Sequence, residues 1–328
     1  MFIEQKKLPS VAEITARLPL SAELREAKER FDKQIKENFI SRNRLAVVCG
    51  PCSADDAISM REYLQQLAAL QGKYKNLLII ARIYTTKPHS NGQGYKGTCF
   101  NKRESDNVDI EHGIIRARQI MLDCLSLGLP VADELLYPEL YPYFADLVSY
   151  WFVGARSSED ALHRSFVSGL DLCCGVKNGT DGDIIKVADS LNAISKPCVF
   201  PFEGSQIATN GCKYAHIVLR GGKAGDSFAA NISPEHTRLA KERLCSLGLN
   251  DYIMTDLSHA NSGKIALNQL ANAKAVISNP DVNGVMVESY LYGGVAPGTY
   301  GVSKTDDCLS FNDTVKLLDI LDQGFESR

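Results

Sequence analysis

The feature that most constrains this chain is an alternation repeated along its length. A short apolar run rich in β-branched residues is followed by a polar cluster and then by a helix-period stretch. The runs fall at Leu45–Val48, Leu77–Ala81, Leu129–Ala132, Trp151–Ala155, Leu172–Val176, Ala215–Leu219, Tyr252–Thr255 and Asn283–Val287. Helical periodicity fills Asp56–Leu70, Gly113–Leu127, Ser158–Ser168, Gly182–Ile194, Pro234–Ser246 and Ala260–Val276. An unbroken apolar run suits a strand covered on both faces, which is the environment of a parallel sheet under helices. Eight such units predict a closed (β/α)8 TIM barrel, with the doubly wound open sheet as the alternative. A length of 328 residues fits one elaborated barrel, so a single domain over 1–328 is expected.

Two segments stand outside the eight units. Residues 1–44 form a charged, helix-rich N-terminal extension in which Ser21–Asn38 reads as amphipathic. Residues 196–210, between the fifth and sixth strands, carry Pro-Cys-Val-Phe-Pro-Phe, Gly-Ser and Gln-Ile-Ala, the pattern of an added β-hairpin.

Composition removes several function classes. A net charge of −3 offers no basic face for general nucleic-acid binding. No run of 18 apolar residues is present, and the first residues lack a signal peptide's apolar core, so a cytoplasmic enzyme is expected. Ten cysteines are too sparse for a disulfide scaffold; Cys173, Cys174, Cys198 and Cys245 sit in apolar segments and read as packing residues. Cys49-Gly50-Pro51-Cys52 has the spacing of a redox dithiol, a reading that needs a helix N-terminus after the strand.

Barrel enzymes build their sites at the carboxyl ends of the strands. Wet loops alone would place a mixture of Ser, Asn and Asp there; here the strand-end residues sort into two chemical groups. Arg82, Lys87, Arg156, Lys177 and Arg220 are cations, and five of them at one mouth call for a multiply charged anion such as a small phosphorylated carboxylate. Cys52, His259, Glu288 and Asp306 offer a thiol, an imidazole and two carboxylates, a mixed donor set for a divalent transition metal. The alternative for this second group is that His259 caps a helix and the acids pair with the arginines. Glu134 ends the third strand.

The segments Val48-Cys49-Gly50-Pro51-Cys52-Ser53, Gly154-Ala155-Arg156, Gly175 to Gly182, His216 to Gly222, Ser258 to Ser262 and Gly284 to Ser289 stand in that order. Together they resemble the class I 3-deoxy-D-arabino-heptulosonate 7-phosphate (DAHP) synthase family, from about residue 8 to the C-terminus. The resemblance implies a 3-deoxy-7-phosphoheptulonate synthase. This enzyme carries out a metal-dependent aldol-type condensation of phosphoenolpyruvate with erythrose 4-phosphate, the first step of the shikimate pathway to aromatic amino acids. It places the metal (manganese, iron, cobalt or zinc) on Cys52, His259, Glu288 and Asp306. It places phosphoenolpyruvate on Arg82, Lys87, Arg156, Lys177 and Arg220, adds Lys96, and sets Glu134 near the reacting water. Lys87 is the expected proton donor to the new hydroxyl. A homodimer or homotetramer is implied, with no nucleic-acid or membrane partner.

Two departures qualify the resemblance. The family's strand-two loop usually reads Lys-Pro-Arg-Thr, its Arg gripping the phosphate of erythrose 4-phosphate; this chain has Lys87-Pro88-His89-Ser90. A histidine is shorter and only partly charged at neutral pH. Pro88, His89 and Ser90 are therefore the candidate contacts for an aldehyde whose identity is open between erythrose 4-phosphate and another sugar aldehyde. A non-catalytic binding homologue is the remote alternative. The family's aromatic effector cavity, near the added hairpin, commonly has small polar residues where this chain has Phe202 and Asp171. Weak or absent inhibition by phenylalanine and tyrosine is expected.

Overall fold

A computed structural model describes residues 1–88, 94–100 and 108–327. Eight parallel strands close into a barrel in the order β1 (Leu45–Gly50), β12 (Val282–Glu288), β11 (Ile253–Asp256), β8 (Ala215–Leu219), β5 (Cys173–Lys177), β4 (Val148–Val153), β3 (Val131–Glu134) and β2 (Leu77–Arg82), which returns to β1. The principal outer helices are α3 (Ala57–Leu70), α4 (Ile110–Ser126), α5 (Ala161–Val167), α6 (Ile184–Ile194), α7 (Pro234–Ser246), α8 (Asn268–Ile277) and α9 (Phe311–Glu326). The closed ring excludes the doubly wound alternative. Among the described residues no helix is long and apolar enough to cross a membrane.

Side chains alternate across each strand, so every strand feeds two cores. Leu45, Val47 and Cys49 of β1 pack outward with the helices. Ala46 and Val48 face the barrel axis with Leu78, Ile80, Ala132, Tyr150, Phe152, Val218, Met254 and Met286. That interior is filled, not open. One further step along the same inward register reaches Arg82, Glu134, Lys177, Arg220, Asp256 and Glu288, which is how the strands deliver charged groups to one mouth.

The extension forms α1 (Val11–Arg17) and α2 (Ala22–Ser41). α2 closes the opposite end of the barrel: Ile35 and Phe39 join the axial core, and the Phe39 ring stacks on Tyr252 at 4.6 Å. The inserted hairpin is β6 (Val199–Phe202) paired antiparallel with β7 (Ser205–Ala208). A second hairpin, β9 (Gly222–Ala224) with β10 (Ser227–Ala229), follows β8 and was not expected from the sequence.

Several boundaries differ from the sequence reading, two of them with a clear physical reason. The fourth strand begins at Val148, three residues before the predicted start, because Val148–Val153 is buried throughout although Ser149 interrupts its apolar run. The predicted helix Ala260–Val276 is a 3-10 turn, His259–Ser262, then Gly263 at φ 62°, and only then α8. A left-handed residue ends a helix, and Gly263 places one inside the expected span.

Candidate active site

A cavity of about 600 Å³ opens at the carboxyl ends of the strands. Arg82, Lys87, Arg156, Lys177 and Arg220 all line it, as do Glu134, His259 and Asp306. Glycines make the room. A side chain at Gly50 would strike the Arg82 carbonyl, and one at Gly154 would strike the Glu134 carboxylate.

The cations are held in different ways. Arg82 is buried; its Nη1 donates to the Pro51 carbonyl at 2.6 Å, its Nη2 lies 3.0 Å from Glu288 Oε1, and its guanidinium sits 3.9 Å from the centre of the Tyr84 ring. Lys177 Nζ lies 3.0 Å from the buried Asp256. Asp256 is itself 2.8 Å from His259 Nδ1. Burial alone would raise the Asp256 pKa, but His259 and Lys177 outweigh it and hold the carboxyl well below the usual range. Arg220 is pulled below the ordinary arginine value by burial, and the neighbouring Arg156 adds like-charge repulsion. Two guanidiniums arranged against each other in this way suit a bound anion.

The second group converges on the other side of the mouth. The donor atoms of Cys52, Glu288 and Asp306 lie within 4.8 Å of one another. His259 Nε2 reaches Glu288 Oε1 at 3.6 Å. Lys87 Nζ donates to Cys52 Sγ at 2.8 Å and to the Cys52 carbonyl at 3.1 Å. Burial lowers the Lys87 pKa, yet Cys52 and Glu288 more than offset it, so Lys87 stays an ammonium. Burial also pushes the Cys52 thiol up to about 11, with Glu288 adding to the rise and Lys87 opposing it. Glu288 and Asp306 are both held below the ordinary carboxylate range against burial, the first by His259 and Arg82 and the second by Lys87 and Lys264.

This donor set fits a divalent transition metal. Glu288 Oε1 is buried and accepts no hydrogen bond among the described residues, although Arg82 stands beside it. His259 Nδ1 lies 2.8 Å from Asp256 without a hydrogen bond among the described residues and its Nε2 lies toward Glu288, so His259 stands beside the cluster that Cys52, Glu288 and Asp306 form. The alternative expectation, that the acids pair with the arginines, holds for Glu288 and Arg82, whereas Asp306 pairs with Lys264.

Some expectations land elsewhere. Lys96 is exposed and does not line the cavity; its backbone carbonyl accepts from Lys87 N, and the adjacent Tyr95 forms the wall instead. Pro88 lines the cavity, whereas His89 and Ser90 lie outside the described residues. Cys245 is exposed and is not the packing residue expected, whereas Cys198 is half-buried and packs against the outer core, its sulfur beside the Ser168 and Thr209 hydroxyls. The redox reading of the first loop fails because Cys49 faces Tyr63, 3.2 Å away in the outer core, while Cys52 faces the mouth. All ten cysteines are free.

Sequence reasoning missed Asp256, Tyr84, Lys264 and Lys304. Asp256 and Tyr84 were detectable as the next inward residues of β11 and β2; Lys264 and Lys304 depend on loops meeting in space. Lys264 Nζ lies 3.0 Å from Asp306.

A sequence profile described as the DAHP synthetase I family matches residues 9–323. The chain belongs to the DAHP synthetase I family. The Tyr-sensitive phospho-2-dehydro-3-deoxyheptonate aldolase of Salmonella typhimurium is 33% identical to it, the match covering 96% of this chain and 92% of the relative. The Phe-sensitive phospho-2-dehydro-3-deoxyheptonate aldolase of Escherichia coli is 36% identical over 92% of this chain and 89% of the relative. The solved structure of phospho-2-dehydro-3-deoxyheptonate aldolase from Francisella tularensis superposes with a TM-score of 0.94 at 32% identity, covering 100% of this chain and 99% of that one. The family that the ordered motifs resemble is therefore the family to which the chain belongs.

Proposed function

We propose that the protein condenses phosphoenolpyruvate with erythrose 4-phosphate to give DAHP and inorganic phosphate. The observation that carries this reading is the division of the mouth. Arg156, Lys177 and Arg220 come from β4, β5 and β8, and Cys52, Glu288 and Asp306 face them from β1 and β12 across the ring. A small dianionic or trianionic substrate fits the first side, and an electrophile needing activation fits the second.

The cations bind the phosphate and carboxylate of phosphoenolpyruvate and turn its C3 toward the acceptor. Cys52, His259, Glu288 and Asp306 would hold a divalent metal, which supplies Lewis acidity toward the aldehyde oxygen. The C3 π electrons form the new C–C bond to the aldehyde carbon, and the aldehyde oxygen takes a proton from the Lys87 ammonium. Water adds to C2 and gives its proton to Glu134, held over Gly154. The C2–O bond to phosphate then breaks as the C2 hydroxyl passes its proton to the departing phosphate, leaving the ketone and free phosphate.

A second reading keeps phosphoenolpyruvate and changes the aldehyde; His89-Ser90 in the strand-two loop favours it. One assay separates the readings. Loss of phosphoenolpyruvate absorbance is followed with a panel of aldehydes, with and without prior EDTA treatment. Consumption with erythrose 4-phosphate, abolished by EDTA and restored by a divalent metal, is the expected result. Consumption with another aldehyde alone establishes the second reading, no consumption at all refutes both, and full activity after stripping refutes the metal assignment.

A further inference from the structure

The cavity wall carries more cations than one substrate needs, and they are not equivalent. Lys177 is neutralised by Asp256, Arg82 by Glu288 and Lys264 by Asp306. Lys87 is committed to Cys52. Lys304 differs. It lines the same cavity and makes no ion pair among the described residues. Its ammonium lies 5.2 Å from the centre of the Tyr95 ring. An aromatic face positions a cation without cancelling its charge, so Lys304 is held in place and remains electrostatically available to an anion. Asp55, in the loop after β1, feels its field but is not within ion-pair reach.

Its position in the ring gives that charge a use. The order β2, β1, β12 runs along one side of the barrel, and β8, β5, β4 along the opposite side. Lys304 belongs to the loop after β12 and Tyr95 to the loop after β2, so the contact spans the side that also carries Cys52, Glu288, Asp306 and Lys87. On the opposite side Lys223, which makes no ion pair among the described residues, projects from the β9–β10 hairpin toward Phe228 and extends the Arg220 side instead. A donor seated on Arg156, Lys177 and Arg220 leaves the acceptor on the Cys52 side, with its carbonyl toward the floor. The far end of the acceptor then comes up beside Lys304.

We propose that Lys304 binds the phosphate of the acceptor aldehyde and sets the preference for a phosphorylated acceptor. The inference rests on the condensation reading above and deepens it. The Tyr95 ring is its positioning partner, and Lys304 takes no part in bond making.

The test is a kinetic comparison of wild type, Lys304→Gln and Lys304→Arg with phosphoenolpyruvate against erythrose 4-phosphate and against unphosphorylated erythrose. In Lys304→Gln the KM for erythrose 4-phosphate rises about 10- to 100-fold, while that for phosphoenolpyruvate stays within about twofold, which also reports an intact fold. The wild-type preference for the phosphorylated aldehyde collapses in the same variant, and Lys304→Arg restores most of it. An unchanged KM for erythrose 4-phosphate, or parallel rises for both substrates, overturns the inference and leaves the condensation standing. So does a wild type that uses erythrose as well as its phosphate. Failure of the wild type to consume phosphoenolpyruvate with any aldehyde overturns the condensation reading, and this inference with it.

Discussion

Cys49 and Cys52 are separated only by Gly50 and Pro51, yet their thiols serve different halves of the molecule. Cys49 is an outward residue of β1, sealed in the outer core with its sulfur 3.2 Å from the Tyr63 hydroxyl, and burial pushes its thiol up to about 11. Cys52 has turned inward with the loop and meets the Lys87 ammonium and Asp306. Truncating each should therefore have opposite signatures. Cys52→Ala should lower kcat by at least about 100-fold and lose bound metal, because it removes a proposed ligand, although its thiol is as buried as that of Cys49. Cys49→Ala should leave both kinetic constants near wild type and cost about 1–2 kcal/mol of stability through a small core cavity. Elemental analysis, steady-state kinetics and denaturant unfolding of the two variants read these quantities, and equal activity losses would refute the division. Arg82, Lys177, Arg220 and Glu288 were legible as candidates because a strand end is a position that sequence can count, whereas Cys52 and Asp306 sit in loops beyond one. Asp256, which also directly follows its run, escaped because it belongs to neither the cations nor the metal donors: it is a buried partner of Lys177 and His259.

At the scale of elements, the eight strands were readable because double burial forces a continuous apolar run, and that signal does not depend on any partner. What could not be read were features made by proximity. The β9–β10 hairpin has three residues in each strand, turns at Gly225 and carries Lys223 and Phe228 to the cavity; no periodicity survives in so short an element. Lys304 sits in a loop with no pattern of its own and gains its surroundings only because the β12 and β2 loops lie side by side. The β6–β7 hairpin, in contrast, was legible from its Pro, Gly and aromatic punctuation, and it carries a prediction. Phe202 packs edge-on against Phe166 at 5.1 Å, so a phenyl ring already occupies the groove between the hairpin and α5. Asp171 points out to solvent and pairs with Lys36 of α2 at 2.9 Å. An effector ring entering there would have to displace Phe202 and forfeit that packing. Phenylalanine and tyrosine at millimolar concentration should leave the initial rate essentially unchanged, and Phe202→Ser should open the groove to measurable amino-acid binding by calorimetry. Strong inhibition of the wild type by sub-millimolar phenylalanine would sink this account.

For the whole molecule, the net charge of −3 and the cationic mouth make opposite demands on an incoming anion. If association with phosphoenolpyruvate followed the net charge, the substrate would be repelled at long range, and added salt would raise kcat/KM by screening that repulsion. If it follows the local field, the sign reverses. Many of the surface acids are paired, as in Lys6 with Asp109 and Glu111, Lys73 with Asp319, and Lys241 with Asp281, so the fields of those pairs cancel within a few ångströms. Inside the mouth, Arg156 and Arg220 repel each other and Lys223 makes no ion pair among the described residues, so the low-dielectric walls focus a positive potential outward. The screening length shrinks from about 20–30 Å near 0.02 M salt to about 6 Å near 0.3 M. A field reaching out of the cavity is therefore cut off over this range, whereas contacts of the bound substrate are not. The value of kcat/KM for phosphoenolpyruvate should fall about 3- to 10-fold as potassium chloride rises across that interval, with kcat nearly constant. Arg220→Gln should flatten the dependence, and a kcat/KM that climbs with salt would show that the chain's total charge, rather than its mouth, governs substrate capture.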